Sequence, residues 1–191
     1  MSQKLNITVV SGSIRPGRQS ERVVKFLTKE TSSRGWKVNI VDPATTSPNL
    51  LTLRYMDYET QGLDAPQVLK DLSDSFSSSD AFIFCSPEYN FSLSPILANI
   101  VDHFKPEFAR KPIGIVTYSI SPFAGVRASV QLYSLIAGIG AVSVPASMPI
   151  PSVHELLNEE GIPQKEEMHG FAKNFLDELE WYTTALKNAR T

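Results

Sequence analysis

The 191-residue chain is predicted to be an α/β protein: a five-stranded parallel sheet of order 2-1-3-4-5 between two layers of helices. Three observations carry that expectation. Short β-branched apolar runs alternate with segments of helical period along the chain. One of these runs, Ala81–Cys85 (AFIFC), is apolar throughout, as a central parallel strand covered on both faces should be. Five such runs occur, one fewer than a six-stranded dinucleotide-binding sheet needs. No repeat, low-complexity tract or linker divides the chain, so residues 1–191 are expected to form a single domain.

The elements follow in order. Leu5–Val10 (LNITVV) is a buried-type strand that stops at Ser11, Gly12 and Ser13. Residues 20–31 carry Val23, Val24 and Leu27 at helical spacing, with Gly35 closing the segment. Trp36–Val41 is the second strand, terminated by Asp42-Pro43. The stretch 44–64 shows no clear period and reads as a long connection. Val68, Leu69, Leu72 and Phe76 mark a helix over 65–76, which leads into the central strand. After the loop SPEYNFSLSP, residues Ile96, Leu97, Ile100, Val101 and Phe104 form an amphipathic pattern. Pro112–Tyr118 is the fourth strand, 125–139 a further helix, and 141–145 a short fifth strand. A polar, proline-containing passage precedes a long last helix with Phe171, Phe175, Leu179 and Tyr182 on its expected core stripe.

Composition narrows the function. Eighteen Lys+Arg against 20 Asp+Glu give a net charge of −2, without the basic excess of an electrostatic nucleic-acid binder. No basic segment followed by an apolar one marks a secretory leader, and no apolar run approaches the roughly 18 residues of a membrane span. A cytoplasmic protein without nucleic-acid or membrane partners is the expectation. The single cysteine, Cys85, excludes an intrachain disulfide and a Cys-rich metal site.

In a sheet of this order a ligand sits beyond the carboxyl ends of the strands, at the switch point. Three strand-end loops therefore matter. The first, Ser11 to Ser20, brings Ser13, Arg15, Arg18, Gln19 and Ser20 to a helix N-terminus, an arrangement suited to an anion such as phosphate. It is neither a Walker loop nor a G-x-G-x-x-G turn. The second, Ser86 to Pro95, places Pro87, Glu88, Tyr89 and Asn90 where a flat ring could be flanked and its polar edge hydrogen-bonded. The third, Tyr118 to Arg127, offers the hydroxyls of Ser119 and Ser121 and a close backbone approach at Gly125.

Elsewhere the signals are weak. His103, His154 and His169 are scattered, with no metal or Ser/His/Asp spacing, and His103 reads as a helix-end capping or surface residue. Cys85 reads as a small buried hydrophobe, and Asn99 and Asp102 as structural residues that orient the second loop or face a partner subunit. No catalytic side chain and no pair of acid and base carboxylates stands out. Difficult chemistry would then belong to a bound cofactor.

Together the loops resemble those of the NAD(P)H-dependent FMN reductases, including the quinone and azo-dye reductases. Gly12-Ser13-Ile14-Arg15-Pro16-Gly17-Arg18 resembles the family's G-S-x-R-P-G-R. Pro87-Glu88-Tyr89-Asn90, followed by Pro95-Ile96-Leu97-Ala98-Asn99-Ile100-Val101-Asp102, resembles P-E-Y-N and P-x-x-L-K-N-A-I-D, with Ala98 in place of the common Lys. The third loop is shorter and poorer in glycine than the family's. The resemblance runs from about Leu5 to Val144 and implies a flavodoxin-like three-layer sandwich. It further implies FMN as bound cofactor, with its phosphate held by Ser13, Arg15, Arg18 and Ser20 beside Gln19. Pro87, Glu88, Tyr89 and Asn90 would line the isoalloxazine, largely through backbone groups, and Tyr118, Ser119 and Ser121 would close the other side. NADPH or NADH would be the co-substrate, a quinone, azo dye, metal oxyanion or free flavin the small-molecule electron acceptor, and ping-pong kinetics in a homodimer the mode of action. The alternative is a flavodoxin-like electron carrier or a redox-dependent partner-binding flavoprotein; a net charge of only −2 does not favour a carrier, which docks basic partners.

Overall fold

A computed structural model describes residues 4–190. Its sheet has five strands in the order β2-β1-β3-β4-β5, every neighbouring pair parallel. The strands are β1 (Asn6–Ser11), β2 (Lys37–Val41), β3 (Ala81–Pro87), β4 (Pro112–Tyr118) and β5 (Val142–Ile150). β3 and β4 are buried at every position, which is why their sequences lack apolar–polar alternation. β2 lies at an edge and is mostly exposed or half-buried.

Successive side chains point to opposite faces, so each strand feeds two cores. Ile7, Val9, Ile83, Cys85, Val116 and Tyr118 join Val23, Phe26 and Leu27 of α1 (Ser20–Ser32) and the last helix on one face. On the other, Val10, Phe82, Phe84, Ile113 and Ile115 meet α3 (Gln67–Ser77), α4 (Pro95–Asp102) and α5 (Val126–Gly138). The last helix, α7 (Glu167–Arg190), buries Met168, Ala172, Phe175, Leu176, Leu179 and Thr183, a spacing that follows the helical period. It packs so close to β4 that a Cβ on Gly114 would stand 2.6 Å from the Phe175 ring.

Several expectations need correction. The stretch 44–64 contains a short helix, α2 (Tyr55–Thr60), which buries no residue; without a buried face it leaves no hydrophobic period to read. β5 continues through Pro145 to Ile150. Between the pairs Ile113↔Ser143 and Ile115↔Ser147 it slips register, as an edge strand can where proline removes a donor. The passage behind it carries α6 (Val153–Leu156). Phe171 is exposed: it falls between Met168 and Ala172 of the buried stripe but on the solvent side of α7. His103 is the C-cap of α4, the first of its two expected roles, but it is buried and not at the surface: its Nε2 meets the Asn49 carbonyl at 3.0 Å. The Asn99 side chain accepts from the Leu51 amide and donates to the Asn49 carbonyl, so it anchors the 44–64 connection and not the second loop.

Candidate active site

β1 ends beside β3, and the chain leaves it through Gly12, whose amide donates to the Cys85 carbonyl at 2.8 Å. A Cβ there would lie 2.7 Å from that oxygen, so only glycine permits the approach. Ser13 is buried, and its hydroxyl shares a 2.8 Å hydrogen bond with the Tyr89 hydroxyl, which stitches the first loop to the second. Arg15 is exposed; its guanidinium lies 5.3 Å from the centre of the Tyr89 ring and has no acidic partner among the described residues. Arg18 is differently placed. Its guanidinium makes a two-pronged pair with Asp42 (2.5 and 2.6 Å), donates to the Ser13 carbonyl at 2.8 Å, and reaches Glu21 at 3.1 Å. These bonds raise the Arg18 pKa and hold the Asp42 carboxyl below its usual range: burial pushes Asp42 up, but the bonds from Arg18 and the Ala44 amide outweigh it.

The N-cap of α1, Gln19, forms no side-chain cap bond, leaving first-turn N–H groups without a side-chain acceptor. Around this helix end three buried polar atoms lack a hydrogen-bond partner: Gln19 Oε1, Ser20 Oγ and Tyr118 OH. The Ser20 and Tyr118 hydroxyls are near neighbours. Burial drives the Tyr118 pKa well above the ordinary phenol value, so this OH remains a donor at physiological pH.

The second loop closes on a tight reversal. Tyr89 and Ser92 exchange two backbone hydrogen bonds of 3.0 Å, and Asn90 and Phe91 between them have φ of 50° and 63°. Two left-handed residues inside a paired turn are the pattern of a type I′ hairpin, and Asn tolerates that region better than most residues. The Glu88 carboxylate accepts from the Arg127 backbone amide and pairs with the Arg127 guanidinium, both at 2.9 Å. It thereby caps α5 and fastens the second loop to the third. Arg127 in turn lies 4.3 Å from the Phe91 ring centre and 5.3 Å from that of Phe123.

In the third loop Ser119 and Ser121 bond to each other: Ser119 Oγ donates to the Ser121 carbonyl at 2.8 Å and lies 3.0 Å from its hydroxyl. The loop backbone is held from behind by Ile150, Ser152 and Val153, the end of β5 and start of α6. Gly125 has φ of 72°, and a Cβ there would sit 3.1 Å from the Tyr118 carbonyl.

The loops enclose a cleft of about 430 Å³ at the switch point between β1 and β3. Of the residues singled out from sequence, Ser13, Arg15, Arg18, Gln19, Pro87, Glu88, Tyr89, Tyr118 and Ser119 line it. Asn90 lies in an adjoining hollow that shares Arg15, Glu88 and Tyr89 with the cleft. Ser20 sits beneath, at the start of α1, and Ser121 supports Ser119 without lining the wall. Sequence reasoning missed Pro16, Gly17 and Ile120 as lining residues, and Asp42 and Arg127 as partners of the loops. Asp42 could have been found from its place: it ends β2, the neighbour of β1, and so must stand beside the first loop.

Among the described residues no group of His, Cys, Asp and Glu could hold a metal ion. Cys85 is fully buried in β3, the place of a small hydrophobe, and burial raises its thiol pKa. Among the described residues the one carboxylate lining the cleft, Glu88, is committed to Arg127. The residues suit a bound group with an anionic end: the Tyr118 hydroxyl and Arg15 line the cleft, Ser20 and the first N–H groups of α1 lie beside it, and Pro87 and Tyr89 complete the wall.

A 2-1-3-4-5 parallel sheet with a cleft at its switch point is a flavodoxin-like fold. The chain belongs to the NADPH-dependent FMN reductase family, whose model matches residues 5–155, and is an oxidoreductase of that family. It is similar to an NADPH azoreductase of Bacillus sp. (strain OY1-2), 22% identical over 187 residues covering 97% of both chains. A quinone reductase of Escherichia coli (strain K12) is 26% identical over 147 residues, 74% of each chain. An FMN-dependent NADPH-azoreductase of Staphylococcus aureus (strain USA300) is 25% identical over 158 residues, 80% of each. Among solved structures the fold is shared with FerB, a flavoenzyme NAD(P)H:(acceptor) oxidoreductase from Paracoccus denitrificans, at a TM-score of 0.78 and 22% identity, covering 95% of this chain and 98% of that one. No helix among the described residues is long and apolar enough to cross a membrane.

Proposed function

We propose that the chain is an FMN-dependent NAD(P)H oxidoreductase that reduces quinones, azo dyes or free flavin by a ping-pong mechanism. The observation that supports this reading is the meeting of three sequence-distant loops in one cleft that the buried Tyr118 hydroxyl lines without a hydrogen-bond partner, with the Ser20 hydroxyl beneath it at the start of α1. When bound, FMN supplies hydride acceptance and donation at a single ring atom. Everything else falls to the chain. Ser20 Oγ, Tyr118 OH, Arg15 and the N-terminal amides of α1 bind the phosphate, while Arg18 braces their loop. Pro87, Glu88 and Tyr89 line the isoalloxazine, held in place by the Ser13–Tyr89 hydrogen bond and the Glu88–Arg127 pair. Among the described residues the carboxylate that lines the cleft, Glu88, is committed to Arg127, so the protein contributes position and electrostatics. One open face then serves donor and acceptor in turn, which is the origin of ping-pong kinetics.

Around the cleft Ile14, Phe91, Ile120, Phe123, Val126 and Val130 are exposed, an apolar rim that suits burial against a second copy in a homodimer. Cytoplasmic operation with small-molecule acceptors completes the reading. Purified protein should be yellow, or become so with FMN, and should give parallel double-reciprocal lines for NADPH against a quinone. A colourless protein that takes up no FMN ends the proposal. Slow reduction by NADPH that needs a separate reductase would instead mark an electron carrier.

A further inference from the structure

Arg18 lies between two hollows. On one side is the cleft; on the other is a smaller space of about 230 Å³ lined by Ser11, Ser20, Glu21 and Asp42. Arg18 lines both, whereas its acidic partners line only the rear one. The guanidinium is thus held from behind, with its side chain 10% exposed, and its forward bond runs to the Ser13 carbonyl at 2.8 Å. Ser13 in turn carries the hydrogen bond to Tyr89. A continuous chain of contacts leads from Asp42, at the end of β2, through Arg18 to the loop that lines the phosphate end, and on to the loop that lines the ring end.

We propose that Asp42 is a positioning residue for the cofactor phosphate. It touches no part of the cleft, but it fixes Arg18, and Arg18 closes the Ser13–Arg18 loop into the shape that receives the anion. Asp42 and Glu21 both pair with Arg18, so its single positive charge is fully offset, and Arg15 is the loop's cation without an acidic partner. Arg18 therefore acts by holding the backbone, and the bidentate geometry supplies the rigidity that a single bond would not.

This inference rests on FMN being the ligand, and its test separates the two claims. FMN and riboflavin, which lacks the phosphate, are titrated by fluorescence quenching into wild type, Asp42→Ala, Asp42→Asn, Arg18→Ala and the Asp42→Ala/Arg18→Ala double variant, with thermal melts to confirm folding. Asp42→Ala should weaken FMN binding about tenfold, the worth of one charge-assisted contact, and leave riboflavin binding near the wild-type value. Asp42→Asn, which keeps one acceptor, should recover most of the loss. The double variant should bind FMN no more weakly than Arg18→Ala alone, because the two residues act as one unit. Equal losses for FMN and riboflavin, additive losses in the double variant, or FMN binding at wild-type strength or tighter in Asp42→Ala would each overturn the positioning role and leave the proposed function standing. Should Asp42→Ala fail to fold, Asp42→Ser, whose shorter side chain carries no charge and cannot reach the guanidinium in two-pronged fashion, takes its place: a loss confined to FMN supports the role, and a loss shared with riboflavin or none at all overturns it. Wild-type protein that binds no FMN overturns both.

Discussion

Arg15→Ala separates a contact made for the ligand from one made for the fold. In the protein without cofactor, Arg15 is exposed, and the described residues give it only the ring of Tyr89, 5.3 Å from the guanidinium, as a charge-related contact. Such an exposed cation–ring contact is worth about 0.5–1 kcal/mol. At about 2–4 °C per kcal/mol for a chain of this length, the melting temperature of the apoprotein should fall by no more than a few degrees. Towards a phosphate the same side chain is worth about 1.5–3 kcal/mol, the scale of hydrogen bonds to charged groups. FMN should therefore bind about 10- to 150-fold more weakly to the variant, while riboflavin binding stays near wild type. Titration at two ionic strengths sharpens the test, since screening between about 0.01 and 0.15 M salt should weaken FMN binding to wild type more than to the variant. An unchanged dissociation constant for FMN, or a matching loss for riboflavin, would refute the assignment of Arg15 to the phosphate.

Tyr118→Phe should separate stability from binding in the opposite sense: removing a buried hydroxyl without a partner should leave the apoprotein melt unchanged or raise it by a few degrees, while FMN affinity falls. A lower melt would show that this hydroxyl is satisfied in the free protein. Gly114→Ala forces a Cβ to within 2.6 Å of Phe175 and should cost about 1–3 kcal/mol in chemical denaturation, with Phe175→Leu recovering part of it. For Asp42 the folded-state pKa lies below its ordinary value of 3.8, so its pairing with Arg18 stabilises above that range and is lost as pH falls through the lowered value. Acid melts should show stability declining below about pH 4 with a shallower slope in Asp42→Asn. Identical slopes would refute that contribution.

The sequence by itself determined the architecture. Continuous apolar runs at 81–85 and 112–118 demand burial on both faces, and helical periods between the strands demand crossovers, which leaves few topologies besides a parallel sheet. It also located the three loops, because small and polar residues directly after buried strands have nowhere to lie but the rim. What it could not convey was the partnership among those loops. Arg15 and Arg18 are equivalent in a string of letters; only packing beside β2 turns one towards Asp42 and leaves the other open to the cleft. Nothing in the order of residues assigns the Glu88 carboxylate a partner; only in the fold does α5 present its first-turn amide and Arg127 to it. The passage behind 145 and the 44–64 connection were equally illegible, since their order comes from contacts with Ser119, Ser121 and Asn99 and not from any period of their own. Burial pattern is a local property that the chain carries in its order, whereas charge pairing across loops depends on distances that exist only after the sheet has formed.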